Sequence, residues 1–418
     1  MTTTVSNRPA VSRYRWMICG LLFFATVIAY LDRGVLAYLE KTLEGIIGFD
    51  RAQYSNMTAA FSAAYALGML FAGRITDRVG TRLGFSVAVV LWSLAAMAQG
   101  AASTPVAFGV GMFFLGLGEA ANFPACIKTV AEWFPKMERA LATAIFNSGA
   151  NIGNIVAPAL VPAFVAMFGW RGSFVAAGAL GFVWLFFWLL MYRKPEDHPK
   201  VSERELEIIQ SDPPERIKPV SWGSLFTVKE TWAFAFAKFL TDPIWWFYVF
   251  WLPPFLQGTF HLSLAGARIP LIIAYATSCV GGVAGGWISS TMLKRGASLN
   301  VARKTAMAIC GAAVVPVCFV PFSHSLWLVV ALLSLATAGH QGWSANVFTL
   351  ASDMFPRAAV ASVVGIGGMI GAAGNVLFQY MAGRVSYLIL FSTAATAYMV
   401  ALLIVHLLAP KLASAELK

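Results

Sequence analysis

Charge is what this chain has least of. Asp, Glu, Lys and Arg together supply 12% of its 418 residues, about half the share found in soluble domains. With 59% hydrophobic residues and a mean hydropathy of +0.71, an ordinary soluble globule is excluded and the membrane class remains. Catalytic and metal-binding patterns are missing as well. There is no paired-histidine zinc motif, no cysteine pair at ligand spacing and no Gly-x-x-x-x-Gly-Lys phosphate loop. The chain therefore reads as a non-enzyme with no cofactor or metal, and ATP-driven pumping by this chain alone is not expected. Its five cysteines, Cys19, Cys126, Cys279, Cys310 and Cys318, fall in or beside apolar stretches. They read as small apolar groups rather than a disulfide set. No small-residue cleavage site follows the first apolar stretch, which reads as a retained span and not a signal peptide.

What is present is a series of apolar stretches near the roughly 20 residues a membrane helix needs. They lie at 16–36, 54–72, 83–101, 106–128, 140–168 and 173–191, then at 232–256, 269–292, 305–322, 326–350, 358–382 and 386–408. An all-α, multi-pass membrane protein of about twelve helices follows. The net charge of +11 does not point to nucleic acid, because the basic residues sit in loops. With the N-terminus in the cytoplasm, 22 of the 30 Lys and Arg fall inside, as the positive-inside rule requires. Five fall outside (Lys41, Arg51, Arg171, Arg268, Arg384) and three within spans (Arg33, Lys128, Lys238). Both termini are expected in the cytoplasm.

One long hydrophilic stretch divides the spans six and six. This predicts an N-terminal bundle at 1–192, a cytoplasmic linker at 193–230 and a C-terminal bundle at 231–418. The halves share sequence: Trp133-Phe134-Pro135-Lys136 returns as Met354-Phe355-Pro356-Arg357 at a spacing of 221 residues. In the same register Glu132 matches Asp353, Ala140 matches Ala361 and Gly153-Asn154 matches Gly374-Asn375. Duplication is the simplest account, and parallel repeats of this kind place a transporter's site between the halves near the midplane.

A charge at a span's centre costs about 2.5–3.5 kcal/mol on insertion scales, so ionisable residues there are site candidates. Asp32 and Arg33 lie on span one, Glu119 on span four, Lys238 and Asp242 on span seven and His340 on span ten. Each is the first span of a set of three, which predicts one shared chamber on which Asp32, Glu119, Arg33 and Lys238 converge. Asp32 and Arg33 point about 100° apart on a helix, so one can face substrate, unless the pair snorkels to headgroups near the outer end of its span. Glu119 is a candidate proton carrier, since burial penalises a charged carboxyl; a structural hydrogen bond to span one is its rival, and its small neighbours predict room to move. Lys238 and Asp242 share a helix face and can pair, or Lys238 can meet a carboxylate substrate while Asp242-Pro243 marks a helix break. Lys128 reads as an interfacial lysine. Tyr30, Tyr65, Trp245, Trp246, Tyr248, Trp343, Asn346, Asn375 and Gln379 offer stacking and hydrogen-bonding surfaces suited to a sugar-like ligand. Interface belts, core packing and helix bridges by Asn154 and Asn375 are the alternatives. The glycine runs at Gly281–Gly286 and Gly365–Gly374 read as close helix packing.

At Gly73-Arg74-Ile75-Thr76-Asp77-Arg78-Val79-Gly80-Thr81-Arg82 the chain resembles the loop signature of the major facilitator superfamily. That resemblance implies a cytoplasmic gating role for Asp77 and Arg78; the second-half counterpart near Lys294-Arg295-Gly296 is degraded. Tyr30-Leu31-Asp32-Arg33, Gly118-Glu119-Ala120-Ala121-Asn122-Phe123-Pro124, Glu132-Trp133-Phe134-Pro135 and Asp242-Pro243-Ile244-Trp245-Trp246 resemble the anion:cation symporter family, and within it bacterial hexuronate transporters. The resemblance implies protonation at Asp32 and Glu119. It also implies carboxylate or hydroxyl recognition at Arg33, Tyr30, Tyr65, Lys238 and Asn375. Met112 stands where many relatives carry an arginine, and Pro254 where a polar residue is expected. The implied activity is proton-coupled import of a small organic acid anion, a hexuronate first, by a monomer in the bacterial cytoplasmic membrane. Uniport or exchange of an aldonate, aromatic acid or dicarboxylate, and a ligand sensor without transport, are the alternatives.

Overall fold

The computed structural model describes residues 12–212 and 222–413; Arg8, Lys418 and the linker prolines of 213–221 lie outside them. The first half holds α1 (Tyr14–Ile47), α2 (Arg51–Val79), α3 (Thr81–Ala98), α4 (Pro105–Glu119), α5 (Asn122–Trp133) and α6 (Lys136–Met191). Two short linker helices follow, α7 (Glu203–Ile209) and α8 (Trp222–Phe226). The second half holds α9 (Lys229–Phe260), α10 (Arg268–Lys294), α11 (Leu299–Val314), α12 (Leu326–Met354), α13 (Arg357–Ala382) and α14 (Tyr387–Leu408). No strand occurs among the described residues.

These helices make twelve crossings. The segments α4 and α5 form one, and α6 forms two because Gly169, at φ 69° and ψ 175°, folds it back, a backbone state that glycine adopts at little cost. Contacts with α1 establish the hairpin. Gly149 and Gly153 pack on Phe23 and Tyr30, whereas Trp184 donates to the Leu21 carbonyl and the Met191 carbonyl accepts from Tyr14. One arm of α6 thus ascends along α1 and the other descends. By length and hydropathy alone α9 falls outside the set of apolar spans, since its polar and proline residues dilute it, yet it runs unbroken for 32 residues.

Two breaks fall elsewhere than expected. Asp242-Pro243 does not interrupt α9. Span four instead breaks at Ala120-Ala121, directly after Glu119, where Pro124 removes the donor that the Ala120 carbonyl would need.

Internal duplication is visible in the element boundaries. α5 ends at Trp133 and α6 begins at Lys136; α12 ends at Met354 and α13 begins at Arg357, the same 221-residue shift. Pro135 and Pro356 cap the two helices with nearly equal backbone angles. The matching acids also play matching parts. Glu132 accepts from the Thr81 hydroxyl at 2.8 Å, at the start of α3, and Asp353 pairs with Arg303 of α11 at 2.8 Å.

Glycines set the helix spacings. A Cβ on Gly281 or Gly285 of α10 would strike the α12 backbone at Ala338 or Gly342, and one on Gly374 would lie 2.5 Å from the Phe239 carbonyl of α9. Near Glu119 the small residues do not leave free room. A Cβ on Gly116 would lie 2.4 Å from the Phe61 carbonyl oxygen and one on Gly118 2.8 Å from the Trp92 nitrogen, so neighbouring backbones fill the space.

The halves are joined at the end away from the linker. Gln257 donates to the Tyr38 carbonyl (3.0 Å), Ser55 to the carbonyls of Gln379 (2.7 Å) and Tyr380 (2.8 Å), Arg51 to that of Ala382 (2.7 Å) and Arg384 to Asn56 (2.9 Å). Toward the linker, the last hydrogen bond between halves among the described residues runs from Gln341 to Asn151, at 3.0 Å. The first part of the linker docks on the first half, where buried Glu205 accepts from the Tyr14 and Arg15 backbone nitrogens at 3.1 Å and Arg15 bridges it to Glu138. This carboxylate serves the unsatisfied donors and positive end of α1. The linker's last helix, α8, meets the second half, where the Trp232 indole of α9 donates to the Phe226 carbonyl at 2.9 Å.

If helix contact at Gly153 fixes α1 against α6, Gly153→Val, whose Cβ would lie 2.5 Å from Tyr30 Cβ, should cost about 1–3 kcal/mol. Thermal unfolding in detergent should show a lowered Tm, with Gly286→Ala, where nothing lies within 4 Å, as the unaffected control.

Candidate functional site

Between the halves lies a cavity of about 260 Å³. First-half helices supply Tyr30, Ser62, Tyr65, Asn147 and Asn151 to its wall; α9, α12 and α13 supply Lys238, Asp242, Trp245, Trp246, His340 and Asn375. On the linker side its lining residues Asn147, Met69 and Phe348 are exposed, so the cavity opens that way while the opposite end is sealed.

Lys238 and Asp242 form an ion pair at 2.7 Å, with Lys238 Nζ also 4.5 Å from the Phe348 ring centre. Gly371 allows this pair, since a Cβ there would lie 2.7 Å from Asp242 Oδ2. Asn375 donates to Ser62 across the halves at 3.0 Å and accepts from Gln379 at 3.3 Å.

Asp32, Arg33 and Glu119 do not line the cavity. Arg33 donates through Nε (2.9 Å) and Nη2 (2.5 Å) to the same oxygen of Glu119, and the three residues are 2%, 2% and 0% exposed. Among the described residues, both oxygens of Asp32, Glu119 Oε1 and Arg33 Nη1 have no hydrogen-bond partner. The guanidinium is boxed by aromatic rings: Tyr30 at 4.0 Å, Trp246 at 4.8 Å, Phe61 at 5.3 Å and Tyr65 at 5.7 Å, contacts worth about 0.5–2 kcal/mol each when desolvated. Three of those rings also line the cavity. The expected convergence of four charges on one chamber is therefore corrected. Lys238 faces the chamber, and the other three charges sit one aromatic layer behind it, in the hydrogen-bonded arrangement that was Glu119's rival reading. A snorkelling Asp32-Arg33 pair is excluded by the same burial.

Of the other candidates, Tyr30, Tyr65, Trp245, Trp246 and Asn375 line the cavity, and four do not. Tyr248 is fully buried behind α9, its carbonyl accepting from Tyr275. Trp343 packs edge-on against Tyr398. Asn346 bridges helices by donating to the Gly285 and Gly342 carbonyls, and Gln379 accepts from Trp251 at 2.8 Å. All four side chains are packed between helices and away from the cavity. Asn154 is buried with its amide nitrogen unpartnered, so it does not bridge helices as read. Asp77 pairs with Lys128 at 2.9 Å, and Lys128 also donates to the Thr76 carbonyl. Lys128 thereby ties α5 to the loop end of α2 instead of standing alone at an interface. Arg78 and Asp77 border a wider cleft of about 920 Å³, lined only by the first half and its exit into the linker, hence not between the halves. His340, a titratable ring in span ten, and Trp246, beside Asp242-Pro243, were both candidates from the sequence and both line the cavity; Asn151 lines it too and carried no signal in the sequence.

A twelve-crossing bundle built from two repeats, with a polar cavity between them open at one end, is the architecture of a secondary transporter. The sequence model of the Major Facilitator Superfamily matches residues 22–379, and the chain belongs to that superfamily. It is 29% identical over 384 residues to the hexuronate transporter of Escherichia coli (strain K12), covering 90% of this chain and 89% of that protein. It is 30% identical over 390 residues to the "Probable galactarate/D-glucarate transporter GudP" of Bacillus subtilis (strain 168), covering 87% and 83%. Its fold matches a crystal structure of a bacterial homolog to the human lysosomal transporter Spinster, in an inward-facing and occupied conformation. The TM-score is 0.74 at 16% identity, with 96% of each chain covered.

Removing Arg33 leaves two buried carboxylates without a cation, so Arg33→Met should cost about 3–5 kcal/mol. Adding Glu119→Gln should restore part of the loss. Thermal unfolding of both variants checks this, and an unchanged Tm in Arg33→Met would contradict it.

Proposed function

We propose that this chain is a proton-coupled symporter importing a small organic acid anion, a hexuronate such as glucuronate or galacturonate, by alternating access. The observation that carries the reading is the juxtaposition of a lysine-bearing cavity with a buried cluster of two carboxylates and one guanidinium, separated by a single layer of aromatic rings. With both carboxylates ionised the cluster holds one surplus negative charge in a dry setting, and one bound proton removes it. A proton on Glu119 weakens its grip on Arg33, and the rings that cover Arg33 are the same rings that substrate meets. Asp32 and Glu119 are the coupling carboxylates in this reading, Lys238 the carboxylate anchor, and Tyr30, Tyr65, Trp245 and Asn375 contacts for the sugar. Arg33 joins the anion once released.

Lys238 is the one full cation on the cavity wall among the described residues, and Asp242 offsets part of its charge. That favours an acid with one carboxylate over a diacid, and so favours a hexuronate over galactarate or glucarate. The positive-inside count puts the linker end in the cytoplasm, which makes this conformation inward-open, in the bacterial cytoplasmic membrane. Residues 1–192 and 231–418 then rock about the site, joined by 193–230, and Asp77 with Arg78 gates the cytoplasmic end. A monomer suffices, since the cavity is completed within one chain. A second reading, uniport or exchange of another organic acid, is favoured by the closed Arg33–Glu119 pair, which needs no proton to be at rest.

Proteoliposome uptake separates the two. Glucuronate accumulation should follow an inward proton gradient in the wild type, and Glu119→Gln should lose that accumulation while keeping counterflow. Uptake indifferent to the gradient refutes symport, and binding without any flux marks a sensor. Lys238→Met should weaken glucuronate binding at least about tenfold, as loss of a charged partner does; unchanged affinity would remove Lys238 as the anchor.

A further inference from the structure

His340 of α12 lines the cavity, yet nothing above gives it work. Its ring is held on two sides. The indole of Trp245 stacks on one face, with centroids 5.1 Å apart and planes within 11°, and Nδ1 lies 2.6 Å from the Tyr398 hydroxyl of α14. Three helices thus fix the position and tilt of one imidazole.

The proton's location follows from counting donors. Tyr398 is fully buried, and among the described residues its hydroxyl has His340 Nδ1 as its one hydrogen-bond partner. A buried hydroxyl that donates to nothing is costly. Nδ1 is therefore the acceptor, which assigns the ring proton to Nε2 in the neutral imidazole. Among the described residues Nε2 has no protein partner, and it is not among the polar atoms sealed from solvent. It is left as a hydrogen-bond donor open to the cavity.

We propose that His340 is a specificity-determining residue, donating from Nε2 to a hydroxyl oxygen of the bound sugar acid, with Tyr398 as the positioning residue that fixes this tautomer. The inference rests on the transport reading above and deepens it. Lys238 takes the carboxylate, because a full cation is the better match for a full anion, and the neutral donor reads the polyol. A site built to hydrogen-bond a hydroxyl rejects an analogue lacking it far more strongly than an apolar site does.

The test compares D-glucuronate with cyclohexanecarboxylate, which keeps the ring and carboxylate but has no hydroxyls, binding to the purified full-length protein. His340→Met should lower glucuronate affinity about tenfold or more and leave cyclohexanecarboxylate affinity unchanged. His340→Gln, which keeps an N–H donor, should recover most of the loss. Equal loss for both ligands assigns His340 a structural role and overturns the proposal. A 15N-histidine spectrum of the wild type gives a second readout that needs no His340 variant to fold. The chain has five histidines, and the His340 ring should show a bare Nδ1 and a protonated Nε2 that moves on saturation with glucuronate. Tyr398→Phe should blur that tautomer signature. Glucuronate binding that leaves every histidine signal unmoved sinks this inference alone; a wild type that binds no sugar acid sinks the transport reading and this inference with it.

Discussion

The ion pair of Arg33 with Glu119, with Asp32 beside it, is the constraint around which the rest is arranged. Three ionisable groups inside an apolar bundle are each expensive to bury, and they persist only because α1, α4 and the aromatic rings of α2 and α9 enclose them together. Met112 on α4 is fully buried and brings no charge to Glu119. The guanidinium facing Glu119 comes instead from α1. The charge that couples helices in the first half is thus carried by the helix that also forms the cavity wall through Tyr30.

Close packing makes this arrangement a switch with few positions. The glycine contacts of α4 with α2 and α3, and of α13 with α9, leave no slack for gradual drift, so movement has to be of whole helices or halves. The second half contributes Trp246 to the box around Arg33. In the proposed mechanism a change in the charge cluster acts on a ring belonging to the other half, and a substrate displacing that ring acts back on the cluster.

Much of this was legible before any coordinates. Composition and span length set the class, and the repeat around Phe134-Pro135 and Phe355-Pro356 recurs as matching helix boundaries. Residues whose costs are local, such as Asp32, Glu119 and Lys238 in apolar runs, were found because burial of a charge is visible in one dimension. Pairing was not. That Arg33 faces Glu119, 86 residues away, depends on which faces of α1 and α4 meet. Tyr248, Trp343 and Asn346 have the same chemistry as true wall residues and differ only in direction. Proline misled in one place: Pro243 is absorbed within α9, whereas the break that matters follows Glu119.

The central claim is that substrate and proton meet in one structure, on opposite sides of a layer of aromatic rings. Its most direct measurement is proton uptake on ligand binding, followed with a pH indicator in weakly buffered detergent solution near neutral pH. Glucuronate added to the wild-type protein should draw protons out of solution in step with occupancy. Saturating binding with no proton taken up would contradict the claim.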